Sequence, residues 1–244
     1  MKKLALMMVG LMALTGCKVD LNSMDSELIE ASDNIVTKEY KLDKFEEVKM
    51  TGVGDVQIFQ DEKKNGTVEL TAPDNYIDLF KIESESGKLT IGFKKGHINL
   101  HTKDIKIKVY TSDLIKITNS GASKIAMDSL DTDKLEIINS GVGGLFIHKI
   151  IADDVTAKCS GVGSIELDGQ SVNADLTCSG VGSINAENLK AQNVKGIVSG
   201  VGGITCYAKE KIDGKVSGVG SLRYGGNPKI KNTKRTGVGS IHEM

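Results

Sequence analysis

The six-residue motif Cys-Ser-Gly-Val-Gly-Ser occurs twice in this chain of 244 residues, beginning at Cys159 and at Cys178. A glycine-rich turn before a short apolar strand can bind an anion through its backbone N–H groups. The motif lacks the Gly-Lys-Ser/Thr ending of a phosphate loop, whose lysine contacts the phosphates. It also lacks the aspartate of calcium-binding glycine repeats, because it ends in Ser164 and Ser183. The motif therefore predicts a structural turn.

Few other residues are arranged for acid–base chemistry. A polysaccharide lyase needs clustered carboxylates, a basic residue and aromatic platforms for sugars. Asp153 and Asp154 are adjacent, but the chain has no tryptophan, and its histidines have no triad or repeat-linked setting, so we expect them to be exposed: His97, His101, His148 and His242. We predict a protein that is not an enzyme and has no cofactor or metal. A groove that gathers three or more carboxylate, Arg or His side chains would instead favour an enzyme.

The N-terminus resembles a bacterial lipoprotein signal. Lys2 and Lys3 precede an apolar run of 11 residues, Leu4 to Leu14, and Cys17 follows Gly16. This run is too short to span a bilayer, which takes about 20 residues. We predict a signal peptide at residues 1–16, a lipid anchor at Cys17 that attaches the chain to a membrane, and a flexible tether over residues 17–39. The alternative is a plain signal peptide with a chance cysteine.

Charge argues against a nucleic-acid partner. The 31 basic and 32 acidic residues are interspersed, and the net charge is −1. Nucleic-acid-binding proteins carry a basic patch or stripe instead.

A repeat dominates the second half of the chain. A Ser/Thr-Gly step recurs every 18–20 residues, at Ser120, Ser140, Ser160, Ser179, Ser199, Ser217 and Thr236. Seven near-copies cannot all be one catalytic loop. The glycines of these steps are predicted structural turn residues: Gly121, Gly141, Gly161, Gly180, Gly200, Gly218 and Gly237. The Ser/Thr hydroxyls either form a polar binding strip or supply hydrogen bonds at corners, and corner bonding is favoured.

Each repeat has the period of two that is typical of a strand with one buried face. Apolar residues recur five residues before each Ser, at Ile115, Leu135, Val155, Ala174, Val194 and Ile212, and again after the glycine, as a valine column and a column of Ile or Leu. We therefore predict an all-β fold, a single-stranded parallel β-helix with 18–20 residues per coil. A right-handed helix is favoured. Its regular coils span residues 115–241, and stacked apolar columns form one core.

The two ends of the repeat region differ from its middle. Residues 45–110 contain strand patterns and turns without the repeat spacing, so they predict an irregular β layer. No linker separates this layer from the coils, and residues 40–244 therefore form one domain. At the C-terminus Lys231, Thr233 and Arg235 replace apolar residues, which predicts a polar edge strand.

Cys159 and Cys178 occupy one column in successive coils. Their expected spacing allows a disulfide, but parallel Cβ vectors oppose its dihedral angle, so free buried thiols are favoured and the disulfide stays open. Cys206 has no obvious partner.

The segments KFEEVKMTGVGDVQIFQ, SGKLTIGF and the repeated SGVGSI, behind the lipoprotein signal, resemble the bacterial family described as putative auto-transporter adhesin, head GIN domain. The resemblance covers roughly residues 40–240. It implies a pectin-lyase-like or acyltransferase-like β-helix without a catalytic apparatus, and a role in adhesion at the cell envelope.

We therefore expect a non-enzymatic outer-membrane lipoprotein, facing the periplasm or the outside, whose solenoid surface binds a protein or glycan. The alternatives are a polysaccharide-active enzyme and a self-associating structural protein. Polar residues that vary from coil to coil are the candidate recognition surface: Glu166, Asp168, Gln170, Asn185, Glu187 and Lys190.

Overall fold

A computed structural model describes residues 28–95, 99–101 and 104–244. The fold is nearly all-β, with 71% strand and 2% helix. Within these residues no helix is long and apolar enough to cross a membrane. The predicted signal peptide, Cys17 and His97 lie outside the described residues.

The described residues form twenty strands and one short helix. In chain order they are β1 (Leu28–Ile29), β2 (Ile35–Lys41), β3 (Glu47–Met50), β4 (Val53–Gln60), β5 (Thr67–Pro73), α1 (Asp74–Ile77), β6 (Phe80–Glu85), β7 (Lys88–Phe93), β8 (Asn99–Leu100), β9 (Lys106–Thr111), β10 (Lys116–Asn119), β11 (Ala122–Met127), β12 (Leu130–Asp131), β13 (Lys134–Asn139), β14 (Val142–Cys159), β15 (Val162–Cys178), β16 (Val181–Val198), β17 (Val201–Val216), β18 (Ser221–Gly225), β19 (Ile230–Arg235) and β20 (Ser240–Glu243).

The long strands β14 to β17 each run through nearly a whole coil and pair in parallel with the next. The register places Val162 beside Val181 and Ile165 beside Ile184. Stacked in this way, the chain forms a parallel β-solenoid of about 6 turns. This confirms the predicted β-helix, and its right-handed hand stays a prediction.

The core lies inside the coils, where alternating side chains point inward. The Ile or Leu column after the corner and most of the column before the serine are buried, at no more than 3% exposure: Leu135, Val155, Ala174, Val194, Ile212, Ile125, Leu145, Ile165, Ile184, Ile204 and Leu222. Removing these apolar surfaces from water contributes about 25 cal/mol per Å² to stability.

Two expectations about the core are wrong. Ile115 is 37% exposed and Leu114 is fully buried, because β10 begins only at Lys116 and the Asp113 carboxylate, which accepts the N–H of Leu114, holds the chain in a turn before it. The valine column is also outside the core, since its members follow the glycine on the outer side of the corner. The central members are 56–58% exposed, at Val142, Val162, Val181, Val201 and Val219.

The turn glycines allow the coils to stack closely. A Cβ atom at Gly161 would lie less than 3.0 Å from the carbonyl oxygen of Gly141, and the other six turn glycines meet the preceding coil in the same way. The φ angles of these seven glycines are not in the positive range, unlike that of Gly143 on the other side of Val142 (φ 118°). The close approach of two backbones is therefore the reason for glycine at these corners.

The N-terminal part extends the solenoid. The strand β3 pairs in parallel with β10 and β7, and β4 pairs in parallel with β11 and β9. Antiparallel pairs β2–β5, β5–β9 and β6–β7 make this layer irregular, as predicted. These pairs join the layer to the coils, and a single domain over residues 40–244 stays a prediction.

The predicted tether is too long. Residues 35–39 belong to β2, which pairs along its whole length with β5, and β1 pairs with β8. The reason is packing, because Val36 and Tyr40 of β2 contact the core.

At the C-terminal end, β19 is exposed at every position and pairs with β17 alone among the described strands. Lys231, Thr233 and Arg235 lie here, which confirms a polar edge strand. Lysines on such an edge discourage pairing with another chain. The Lys231 ammonium also lies 2.6 Å from the Glu243 carboxylate of β20.

Candidate functional site: a groove along the solenoid axis

A groove with a volume of about 310 Å³ crosses five successive coils, and we call it the axial groove. One wall is the outward column that passes from β12 through β16: Asp131, Ile151, Gln170 and Lys190. The other wall lies two residues further along each coil: Asp133, Asp153, Val172, Gln192 and Lys209. Between the walls lie Thr132, Ala152 and Ser171.

The middle column is built from small residues. It continues from Ser171 to Ala191 and Ala208, and all five of its members are at most 8% exposed. Because strand residues alternate between faces, the residues on either side of this column point outward. Larger, mostly polar side chains on both sides and small side chains between them leave a furrow parallel to the axis.

Gln60 fixes the first coil of the groove. Its side-chain amide donates to the carbonyl oxygen of Asp131 (2.8 Å) and to that of Ser112 (3.2 Å), and its Oε1 accepts the N–H of Asp131 (3.0 Å). These bonds tie β4 to β12 and hold the backbone that carries Asp131 and Asp133.

Charge is divided along the groove. Asp131, Asp133 and Asp153 occupy the end nearest the N-terminus, while Lys190 and Lys209 occupy the other. In the part of the chain that the structure describes, none of these five side chains takes part in an ion pair. The groove is therefore a dipolar surface with free charges at both ends.

Neighbouring groups orient the lysine end. The Lys190 ammonium lies 3.8 Å from the centroid of the Tyr207 ring and donates to the carbonyl oxygen of Glu187 (3.0 Å). A cation over an aromatic face is attracted by the ring quadrupole. These contacts hold Lys190 in place and, unlike an ion pair with a carboxylate, do not neutralise its charge.

Two hydroxyl groups of the middle column are unsatisfied. The oxygens of Thr132 and Ser171 are buried, and no hydrogen-bond partner for them exists among the described residues. Buried polar atoms without a partner are rare in folded proteins.

The aspartates of the groove do not form a metal site, since no group of three or more His, Cys, Asp or Glu in the described ranges could hold a metal ion. They do satisfy the criterion of three carboxylates in one groove, which the sequence argument linked to an enzyme.

The candidate recognition residues separate in the structure. Gln170 and Lys190 line the axial groove. Glu166 and Asn185 stack on each other in an adjacent column of β15 and β16, and Asp168 lies 3.4 Å from His148 Nδ1. The structure therefore places part of the predicted variable surface at the groove and part outside it.

In the sequence, Asp153 stands out only as half of an adjacent acidic pair. Asp154, its neighbour, accepts a hydrogen bond from Asn173 (2.9 Å) outside the groove. Asp133 escaped notice, although it stands 20 residues before Asp153 and therefore in the same column. Aligning the acidic residues on the coil period would have found this pair.

Other residues with reactive side chains lie away from the groove. His101, His148 and His242 are exposed, as expected. Two corner hydroxyls donate to the preceding coil, Ser120 to Met50 O and Ser140 to Asn119 O, each at 3.3 Å. Such bonds favour the corner role of the Ser/Thr column.

The cysteines of the coils are buried and free in the structure. The thiols of Cys159 and Cys178 donate to the carbonyl oxygens of Gly163 (3.6 Å) and Gly182 (3.3 Å). The neighbouring Cys178 thiol and burial both raise the pKa of Cys159. Burial raises the pKa of Cys206 to about 12, so this thiol is neutral and inert at physiological pH.

Comparisons with known proteins agree with this architecture. A crystal structure of a putative adhesin from Bacteroides fragilis NCTC 9343 is 32% identical, with a TM-score of 0.86 over 88% of this chain and 100% of that one. The fold is shared with a putative lipid binding protein from Parabacteroides distasonis ATCC 8503, which is 24% identical, with a TM-score of 0.72 over 89% of this chain and 100% of that one. No curated protein matches the chain.

The model of the family described as putative auto-transporter adhesin, head GIN domain, matches residues 44–228. This stretch includes the complete axial groove and nearly all of the solenoid. The chain therefore belongs to this family of putative adhesins.

Proposed function

We propose that the protein is a non-enzymatic binding protein of the cell envelope and that it holds its ligand in the axial groove. Membership of an adhesin-like family supports a binding role at the cell surface or envelope. The observation that carries the choice of site is a set of five groove charges that form no ion pair with any described residue: Asp131, Asp133 and Asp153 at one end and Lys190 and Lys209 at the other. Charges that the fold leaves free are available to a partner.

The position of the protein follows from its N-terminus. Lipidation of Cys17 after removal of residues 1–16 attaches the chain to a membrane. Residues 18–27 then separate the lipid from β1. The solenoid is held near the outer membrane, with its groove turned towards other molecules of the envelope or towards a neighbouring cell.

A direct binding experiment tests this function. Residues 18–244 are produced without the lipid and applied to whole cells, to a glycan array and to a peptide array. A variant with a neutral groove, Asp131→Asn, Asp133→Asn, Asp153→Asn, Lys190→Gln and Lys209→Gln, is compared with a control, Val181→Ser and Val201→Ser, in the exposed valine column. We expect the wild type and the control to bind cells and the neutral groove to lose at least about tenfold in affinity. Equal binding by all three proteins would contradict a role of the groove.

The second candidate is a polysaccharide-active enzyme. It is favoured by the three carboxylates of the groove, since glycoside cleavage uses paired carboxyl groups. Incubation of the same proteins with envelope polysaccharides, followed by reducing-end analysis, separates the two functions. Turnover that disappears with Asp153→Asn would replace the binding proposal by the enzymatic one.

A further inference from the structure

The spacing of the groove charges limits the length of a ligand that contacts both ends. Coils stack about 4.8 Å apart, so the levels of Asp153 and Lys190, two coils apart, are separated by about 10 Å. The levels of Asp133 and Lys209, four coils apart, are separated by about 19 Å. An extended polypeptide rises about 3.3 Å per residue, and these distances therefore correspond to about three to six residues.

The middle of the groove suits a peptide backbone. Gln170 lies one coil from Asp153 and one coil from Lys190, and Gln192 lies level with Lys190, between Asp153 and Lys209 along its own wall. Each side-chain amide can donate two hydrogen bonds and accept two, which matches the alternating N–H and C=O groups of an extended chain. Ile151 and Val172 line the same stretch and are 49% and 43% exposed, so they offer contacts for apolar side chains.

A sugar chain fits these residues less well. Carbohydrate rings commonly stack on aromatic faces, and none of the described residues that line the groove is aromatic. The nearby Tyr207 ring is already covered by the Lys190 ammonium at 3.8 Å. A neutral glycan would also leave the charges of both ends without partners.

Resting on the proposed function, we propose that the axial groove binds an extended polypeptide segment with opposite charges at its two ends. An Arg or Lys side chain of the ligand lies at Asp133 and Asp153, and an Asp or Glu side chain lies at Lys190 and Lys209. The distance of about three to six residue steps leaves about two to five residues between these groups, and they lie along Gln170 and Gln192. Electrostatic complementarity of this kind selects partners and accelerates association.

A peptide-binding experiment tests the ligand class. Fluorescent peptides with blocked termini carry Arg and Glu at the ends of a Ser/Thr linker of one to eight residues, beside a Glu/Glu set and an Arg/Arg set. Fluorescence polarisation should show that the wild type binds the Arg/Glu peptides at least tenfold more tightly than either like-charged set, with an optimum at linkers of about two to five residues.

A change of specificity distinguishes the proposal from a loss of folding. The variant Asp133→Lys with Asp153→Lys makes both ends of the groove positive, and we expect its preference to switch to the Glu/Glu peptides. Such a gain of binding cannot come from an unfolded protein. The valine-column control should retain the wild-type preference.

The outcomes separate this proposal from the proposed function. If the wild type does not discriminate among the peptides, while the neutral groove loses binding to cells, the groove is a binding site for another class of ligand and the polypeptide proposal is wrong. Specific binding to the glycan array at the groove would identify that class as a carbohydrate. If the neutral groove binds cells like the wild type, both proposals are wrong.

Discussion

The paired face is the outward side of β10, β13 and the second halves of β14 to β17. Its charges neutralise one another between successive coils and, for Lys211 and Asp213, within β17. The Glu136 carboxylate lies 2.7 Å from the Lys116 ammonium and 3.0 Å from that of Lys158. Lys195 lies 2.8 Å from Asp175, and Lys211 lies 2.7 Å from Asp213. The axial groove belongs to the same coils, yet its five charged side chains have no ion pair within the described ranges.

These contacts shift the pKa values of side chains on the paired face. The hydrogen bond from Lys116, followed by that from Lys158, lowers the pKa of Glu136, and the same contact raises the pKa of Lys116. Hydrogen bonds from Lys211 and Asn232 lower the pKa of Asp213. The charged forms of these groups are therefore stabilised by folding.

The difference between the two surfaces follows from the stacking of coils. Equivalent residues of a solenoid lie about 4.8 Å apart, so like charges in one column repel each other. The paired face avoids this by alternation of sign, as in the succession Lys116, Glu136 and, further on, Asp175, Lys195, Asp213. The groove instead stacks Asp133 beneath Asp153, whose N–H donates to the carbonyl oxygen of Asp133 (3.0 Å). Charges that the chain does not neutralise are those available to a partner.

The largest effect on stability is expected from a change in the distance between successive coils, which both surfaces share. The change Gly161→Ala places a Cβ atom against the backbone of Gly141 and forces two coils apart, so we expect a loss of about 3 kcal/mol in the free energy of unfolding. Gly225→Ala is the control, because the nearest atom to its Cβ would be at 3.5 Å, an ordinary contact. Denaturant titration measures both, and equal losses would contradict the role of close coil stacking.

A smaller loss is expected on the paired face. Glu136→Gln removes two ion pairs and should lower the free energy of unfolding by about 1 kcal/mol at pH 7. Glu187→Gln, at an exposed position that has no ion pair with another described residue, should change it by less than about 0.5 kcal/mol. A paired face that contributes nothing to stability would show no difference between the two variants.

The contribution of Glu136 should depend on pH in one direction. Its pKa in the folded protein is below that in the unfolded chain, so its stabilisation is present above the unfolded value, about 4.3, and is lost as the pH falls through the folded value. Urea midpoints of the wild type and Glu136→Gln should therefore differ between pH 5 and 8 and converge below about pH 4. A difference that persists at pH 2 would indicate that packing rather than charge is lost.

The coil and its core could be predicted from the sequence because residues of the same type recur at the same position of successive coils. One strand with an apolar residue at alternate positions is ambiguous, whereas Leu135, Val155 and Val194 at one period indicate a buried ladder. The prediction failed where the repetition stops. Ile115 precedes the first regular strand and is turned outward, and β2 has a non-repeating sequence that pairs antiparallel with β5.

The valine column shows a second limit. Apolar character in a column indicates stacking, but it does not say on which side of the backbone the column lies. At the corner the chain changes direction between Gly161 and Ile165, so the alternation that applies within a strand does not carry across it. Val162 is 56% exposed for this reason.

The groove was only partly predictable because it depends on which charges remain unpaired. Gln170 and Lys190 were recognised as variable polar residues. Lys195 and Lys209 are equally polar in sequence, but Lys195 contacts Asp175 and Lys209 has no acidic neighbour within ion-pair distance among the described residues. That distinction depends on contacts between coils, which the spacing of one residue type does not reveal.

The smallest effect, of opposite sign, is expected in the groove. Asp153→Asn keeps the size of the side chain and removes the repulsion with Asp133, so the free energy of unfolding should rise by about 0.3 kcal/mol at low ionic strength. At 1 M salt the Debye length is only about 3 Å, and the gain should vanish. Denaturant titrations at both salt concentrations measure this, with Glu136→Gln as the reference that loses stability. If Asp153→Asn instead lowered stability by as much as Glu136→Gln does, the carboxylate would serve the fold, and the contrast between the two surfaces would be lost.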